Sequence, residues 1–284
     1  MKEAIFGPAG NAEEFYADGN KSSYQAPAWL AAYGLNAYEY QCGKGVLISE
    51  AMCKTIGEEA KKHEITLSLH APYFISLSSV EPEKRRKSVH YILQSLRAAH
   101  AMGATLIVVH TGSAGKIPRE KAMKLAADTI YLALNASAKE GFSPITIGLE
   151  TMGKINQLGT LNEVLQLCQI DTSLRPVVDF GHLNARGLGA IKTEEDYEKI
   201  FDTIATTLSA EQAQKLHVHF SKIEYSKGGE SKHLTFESDL FGPSPEQFSA
   251  VIARHQLTPT VICESAGTMA KDAKYLQNIY RSLL

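Results

Sequence analysis

The sequence predicts an α/β chain folded as one (β/α)8 TIM barrel, a single domain over residues 1–284. Three observations lead there. Short β-branched or aromatic runs alternate with longer stretches of helical periodicity, the pattern of βα units around a parallel sheet. Eight such runs fit into 284 residues, which is the arithmetic of an eight-stranded barrel. The competing architecture, a doubly wound open sheet, calls for a G-x-G-x-x-G loop after an early strand, and FGPAGNAEEF does not match it.

In chain order, the expected strands are EAIF near Ala4, AYEYQ near Tyr40, and the segments 66–70, 105–110, 145–150, 176–180, 215–220 and 260–264. A short helix in APAWLAAYG should stop at Gly34, and a second spans about 48–62. After the third strand, EPEKRRKSVHYILQSLRAAHAMG sets Val89, Leu93 and Leu96 on one face and should stop at Gly103. REKAMKLAADTIYLALNASAKEG follows the fourth strand and runs to Gly141. The remaining helices fall at about 160–170, 194–208, 244–255 and 270–283. The basic run EKRRK at 83–87 opens a helix and reads as a solvated face. No low-complexity linker or internal repeat interrupts the pattern.

Composition narrows the function classes. Hydrophobic residues make up 44% of the chain, enough for a large core and too many for a disordered or fibrous protein. The formal net charge of −2 supplies no basic field for long-range capture of nucleic acid, so a polyanion would have to be met by a local site. No stretch approaches the roughly 18 apolar residues of a membrane helix, and Glu3 stands where a secretion signal carries its apolar run. The expectation is a cytoplasmic protein with no membrane partner. Cys42, Cys53, Cys168 and Cys263 are too widely spaced for a paired zinc motif and read as reduced, buried thiols.

In a parallel barrel, chemistry sits at the C-terminal ends of the strands. Here the third strand ends in His70, the fourth in His110, the fifth in Glu150 and the eighth in Glu264. The sixth ends in Asp179 with His182 three residues on, and the seventh carries His217 and His219. Of the ten histidines, His63, His90, His100 and His255 fall in helical stretches, while these five and His233 fall at strand ends or in the following loops. Imidazoles and carboxylates converging on one rim are costly to desolvate unless cations compensate them, so the pattern points to divalent metal. Histidine with carboxylate and no cysteine suits Zn2+ and also admits Mn2+ or Fe2+. The candidate ligands suffice for two or three ions, a number suited to phosphoester hydrolysis.

The ordered set LSLHAPYFISL, VVHTGS, IGLETMG, VVDFGHLNAR, HVHFSK, KHLTF and VICES resembles the endonuclease IV family of zinc-dependent apurinic/apyrimidinic endonucleases, within the xylose-isomerase-like barrels. The likeness spans about residues 64 to 284. It implies that His70, His110 and Glu150 hold a first zinc, and that Glu150 bridges to a second held also by Asp179, His217 and Glu264. It implies a third zinc on His182 and His233. Tyr73 and Lys222 stand at positions that approach the substrate in that family. The implied reaction is hydrolysis of double-stranded DNA 5′ to an abasic site by a metal-activated hydroxide, with Glu150 and Glu264 as catalytic carboxylates and a monomer as the active form.

The chain departs from the family at named places. The aspartate expected two residues before the last histidine is Ser231, and Glu230 is the nearest carboxylate. His219 stands where the family has asparagine, and is either a replacement ligand or a hydrogen-bonded loop residue. The loops after the first two strands, FGPAG and QCGKGVLIS, are short, and Lys44 is the only basic residue in the second. The alternative reading is a sugar isomerase or epimerase of the same superfamily, using one ion on Glu150, Asp179, His217 and Glu264.

Overall fold

The computed structural model describes residues 3–284. Its main sheet has eight parallel strands: β1 (Ile5–Pro8), β2 (Ala37–Gln41), β3 (Thr66–His70), β4 (Leu106–His110), β5 (Thr146–Glu150), β6 (Arg175–Asp179), β7 (His217–Phe220) and β10 (Thr260–Cys263). Between the last two lies an antiparallel hairpin, β8 (Lys222–Ser226) and β9 (Gly229–Leu234). From β2 round to β10 each barrel strand pairs with the next barrel strand in chain order, and β10 pairs with β1. An isolated parallel bridge between Ala9 and Glu39 closes the remaining seam.

At that seam β1 and β2 approach so closely that a Cβ on Gly7 would sit 1.8 Å from the Ala37 carbonyl oxygen. Glycine is required there by space, since no rotamer change can move a backbone carbonyl.

The expected helices surround the sheet as α2 (Ala26–Tyr33), α3 (Glu50–Lys62), α4 (Pro82–Met102), α5 (Arg119–Lys139), α6 (Leu161–Cys168), α8 (Glu194–Thr207), α10 (Pro245–Arg254) and α11 (Met269–Ser282). Gly34 and Gly103 end α2 and α4 in the left-handed conformation, as their positions predict. Three short helices lie outside the sequence expectation: α1 (Glu13–Ala17), α7 (Phe180–Arg186) and α9 (Ala210–Gln214).

Burial follows the barrel logic. Val109, Leu149, Val178 and Val261 are wholly buried between sheet and helices, and Phe180, Phe220 and Phe248 pack ring to ring with Tyr197 on the β6–β7 side. All four cysteines are buried and unpaired, and burial pushes the Cys42 and Cys168 thiols up to about 12. Among the described residues no helix is long and apolar enough to cross a membrane.

Replacing Gly7 with alanine should destabilise the fold by more than about 3 kcal/mol or prevent its recovery, because the seam must open to admit the methyl group. Urea denaturation of Gly7→Ala against wild type measures this, and a loss below about 1 kcal/mol would show that the seam is pliable.

Candidate metal centre at the barrel mouth

The strand register sets the depth of each side chain. His110 pairs with Glu150 across β4 and β5, Glu150 with Val177 across β5 and β6, and Asp179 with His219 across β6 and β7. His217 opens β7, where it pairs with Val177, and lies two residues, roughly 7 Å, before His219 along the strand.

Glu150 is the centre of the cluster and is wholly buried. One of its oxygens, Oε2, lies 3.0 Å from His110 Nε2 and 3.3 Å from His70 Nε2. The other, Oε1, lies 3.1 Å from His219 Nδ1 and 3.4 Å from His182 Nδ1. Burial would raise its pKa, but the charge and hydrogen bond of His110, with hydrogen bonds from His182 and His219, hold the carboxyl well below the usual range. Burial likewise works against protonation of His70, and the Glu150 hydrogen bond and the charges of Glu150, Glu39 and Glu264 overcome it, raising that imidazole to about 9. Around Glu150, ligand atoms gather within 4.8 Å of one another in the sets His70–Glu150–His219 and Glu150–Asp179–His219–Glu264.

Two imidazoles have one tautomer set by the backbone. A carbonyl can only accept, so His70 Nδ1–H donates to Ala71 O at 2.7 Å and His182 Nδ1–H donates to Thr151 O at 2.9 Å. The Nε2 atoms are thereby turned toward Glu150 and toward Glu230 Oε2, the latter 3.5 Å away. His182, Glu230 and His233 form a further set, with His233 Nδ1 2.9 Å from Ser221 Oγ. Asp179 caps α7 by accepting from the His182 amide at 2.7 Å through Oδ1, which explains how a helix containing Gly181 and Asn184 forms there and aims His182 at the mouth.

Glu230 is held by its backbone. The Glu230 amide donates to Gly153 O at 3.1 Å and the Ile155 amide donates to Gly228 O at 3.0 Å, stitching the hairpin tip to the loop after β5. A Cβ on Gly153 would meet Glu230 Oε2 at 2.7 Å. That loop is clamped in turn by two arginines. Arg119 pairs with Glu163 at 2.6 Å and donates to Ile155 O and Gln157 O, and Arg186 donates to the carbonyls of Met152, Lys154, Ile155 and Gln157.

The site residues read from sequence are therefore mostly brought together, with two differences. His217 is not grouped with Asp179 and Glu264. Its Nε2 lies 2.9 Å from Glu39 Oε2, and the rim position on β7 is taken by His219. Lys222 is not free at the mouth, because its ammonium donates to Phe236 O at 2.8 Å and Ser238 O at 2.5 Å. Tyr73 is 60% exposed beside the mouth with the ring of Phe74 edge-on to it, so it is open to a ligand. Glu39 lies outside the set read from sequence, yet it is wholly buried, and His219, His217 and Ser68 surround its carboxylate. The available signal is its place in AYEYQ, where it alternates with Tyr38 and Tyr40 and so faces the barrel axis if they face the helices.

The donor set fits divalent cations. Imidazole and carboxylate ligands without cysteine match Zn2+, Mn2+ or Fe2+. One atom of the set independently asks for a partner: Asp179 Oδ2 is buried with no hydrogen bond. Such an orphan costs about 1–3 kcal/mol.

A parallel α/β barrel whose rim gathers histidines and acids at metal-ligating distances belongs, by fold and site together, to the barrels that do their chemistry at a C-terminal mouth. The chain is a member of the xylose isomerase-like TIM barrel family, whose model matches residues 27–279. It is 30% identical over 282 residues to uncharacterized protein MJ0133 of Methanocaldococcus jannaschii, covering 98% of this chain and 97% of that one. It is 31% identical over 176 residues to a protein named "Probable endonuclease 4" from Mycoplasma pneumoniae, covering 59% of this chain and 57% of the relative, so the match to that protein spans little more than half its length. In fold it is similar to endonuclease IV from Thermus thermophilus (TM-score 0.67, 16% identity, 100% and 98% of the two chains covered). It is equally similar to 3-keto-D-glucoside 4-epimerase from E. coli (TM-score 0.67, 14% identity, 97% and 98% covered).

The Arg119 clamp gives a pH-dependent prediction. Burial opposes the charge on Glu163, but hydrogen bonds from Arg119 and from the Thr160 and Gly159 amides hold its pKa down to about 2. A carboxyl whose pKa is depressed by folding contributes stability above its unfolded value, near 4.5, and loses it as pH falls toward 2. With Arg119 partly exposed, about 1–2 kcal/mol is expected after solvent screening. Glu163→Gln should cost that much at pH 7 and nothing near pH 2. An equal difference in denaturation midpoint at both pH values would remove the ion pair as the cause.

Proposed function

We propose that this protein is a divalent-metal-dependent phosphodiester hydrolase that cuts DNA 5′ to abasic sites, as the likeness to endonuclease IV implies. The observation that carries the reading is the straddled Glu150 carboxylate, with His70 and His110 on one oxygen and His182 and His219 on the other. A one-ion isomerase using Glu150, Asp179, His219 and Glu264 has no need of the His70 and His110 face.

Glu150 could hold one ion together with His70 and His219, with His110 also against its Oε2, and another together with Asp179, His219 and Glu264. His182, Glu230 and His233 offer a third. Divalent ions bound there supply Lewis acidity, lowering the pKa of water from about 15.7 toward about 7 and neutralising phosphate charge. Glu264 stands at the rim, its carboxylate partly exposed and 3.5 Å from His219 Nδ1, where it can take a proton from an attacking water. Tyr73 and Phe74 present exposed rings against which an unstacked base or sugar can rest. With a net charge of −2, affinity for DNA has to come from the site itself.

The sugar epimerase reading keeps one specific support: Glu150, Asp179, His219 and Glu264 form by themselves a complete one-ion ligand set. Metal content separates the two. The hydrolase reading expects two or three moles of zinc, or zinc with iron or manganese, per chain by elemental analysis. One ion or fewer favours the epimerase.

The direct test is incision of a duplex carrying one abasic analogue, lost with chelator and restored by zinc. Glu264→Gln should lower incision by about 10²–10⁴-fold with the thermal midpoint little changed, and near-normal turnover would place the chemistry elsewhere. Gly153→Ala should displace Glu230 and reduce bound metal by one equivalent while leaving the other ions in place. Unchanged stoichiometry would exclude Glu230 from the ligand set.

A further inference from the structure

We infer that His219, not His217, is the metal ligand of strand β7, and that Glu39 with His217 forms the support beneath it that turns the His219 ring toward the mouth. The inference rests on the metal-site part of the proposed function and is independent of the substrate.

Register is the first argument. His219 shares the level of Asp179, and its Nδ1 faces Glu150 Oε1 at 3.1 Å and Glu264 Oε1 at 3.5 Å. His217 sits a full pleat repeat before it along β7. The second argument is the way the other imidazoles are turned. His70 and His182 each give one ring N–H to a backbone carbonyl and present the other nitrogen to the cluster. His219 has no carbonyl partner. Its Nε2 lies 3.0 Å from Glu39 Oε1, off the line of a hydrogen bond, and is otherwise an orphan in a fully buried ring. A carboxylate behind a ligating histidine fixes ring orientation and raises the basicity of the nitrogen that binds the ion.

Third, Glu39 is itself held as a fixed anion. Its Oε2 accepts from Ser68 Oγ at 2.8 Å and from His217 Nε2 at 2.9 Å, and its Oε1 accepts from Gln41 Nε2 at 3.2 Å. Glu39, His217 and His219 lie close enough to one another to ligate an ion, but donors outside that group, Ser68 and Gln41, occupy both Glu39 oxygens as well, and we assign Glu39 the role of acceptor in the network. Glu39 and His217 are thus positioning residues that act through His219.

The test is made on the full chain loaded with Co2+ or Zn2+. His219→Gln should lose one ion equivalent and alter the visible spectrum of the cobalt protein. His217→Gln should keep that spectrum. Glu39→Gln should keep full stoichiometry at saturating metal but weaken binding by about 10–100-fold in chelator competition, with Glu39→Asp recovering part of the loss. Wild-type affinity in Glu39→Gln, or loss of the ion in His217→Gln with retention in His219→Gln, overturns the assignment. Should Glu39→Gln fail to fold, long-range ¹H–¹⁵N spectra of the zinc-loaded wild type decide: a proton on His219 Nε2 with metal on Nδ1 is expected, and the opposite tautomer refutes it. A protein that binds no divalent metal removes both this inference and the proposed function. One that binds metal but leaves abasic DNA intact removes only the latter.

Discussion

The structure turns on a single buried carboxylate. Glu150 has no exposed surface, and isolating such a charge from water costs several kcal/mol even after relaxation. Four imidazoles around it offset that cost, and each must itself be held in one orientation to do so. The neighbouring elements can be understood as answers to that demand: carbonyls at Ala71 and Thr151, the Asp179 cap, and the loop clamped by Arg119 and Arg186. The same arrangement that neutralises Glu150 within the protein is one that cations can enter, since imidazolium and divalent metal are alternative partners for the same oxygens.

Rigidity around the rim is built from backbone acceptors more than from side-chain pairs. The loop after β5 has its carbonyls turned outward to two guanidinium groups, and its amide and carbonyl groups at Gly153 and Ile155 bind the hairpin tip. Glu230 therefore inherits its position from three connected segments: α5, α7 and the hairpin. This is the arrangement expected where a ligand must be held within a fraction of an ångström by elements remote in sequence.

The barrel and most of its rim are legible in the sequence because the alternation of runs is periodic and because strand-terminal residues in a parallel barrel share one face. His70, His110, Glu150, Asp179 and Glu264 all emerge from asking what ends each strand. That question fails where the end is ambiguous by one pleat. HVHFSK places two histidines on the same face, and only the pairing of β7 with β6 shows that His219 reaches the rim. It also fails for residues below the rim, which is why Glu39, in the middle of β2, does not stand out. The hairpin has a turn signal in Gly228 and Gly229, whereas α7 depends on the Asp179 cap more than on helix propensity. Pattern alone does not show that the Lys222 ammonium is engaged by Phe236 O and Ser238 O, because these are carbonyls of a loop with no sequence signature.

The pairing of β1 with β10 carries a consequence for biosynthesis. Ile5 lies beside Thr260, so the first strand made must wait for the last before the wall is complete. Throughout translation, β1 and the most recent strand each present an unsatisfied row of amides and carbonyls of the kind that recruits other chains. Closure of the wall thus waits on the arrival of its eighth strand, and until then those ladders need a shield.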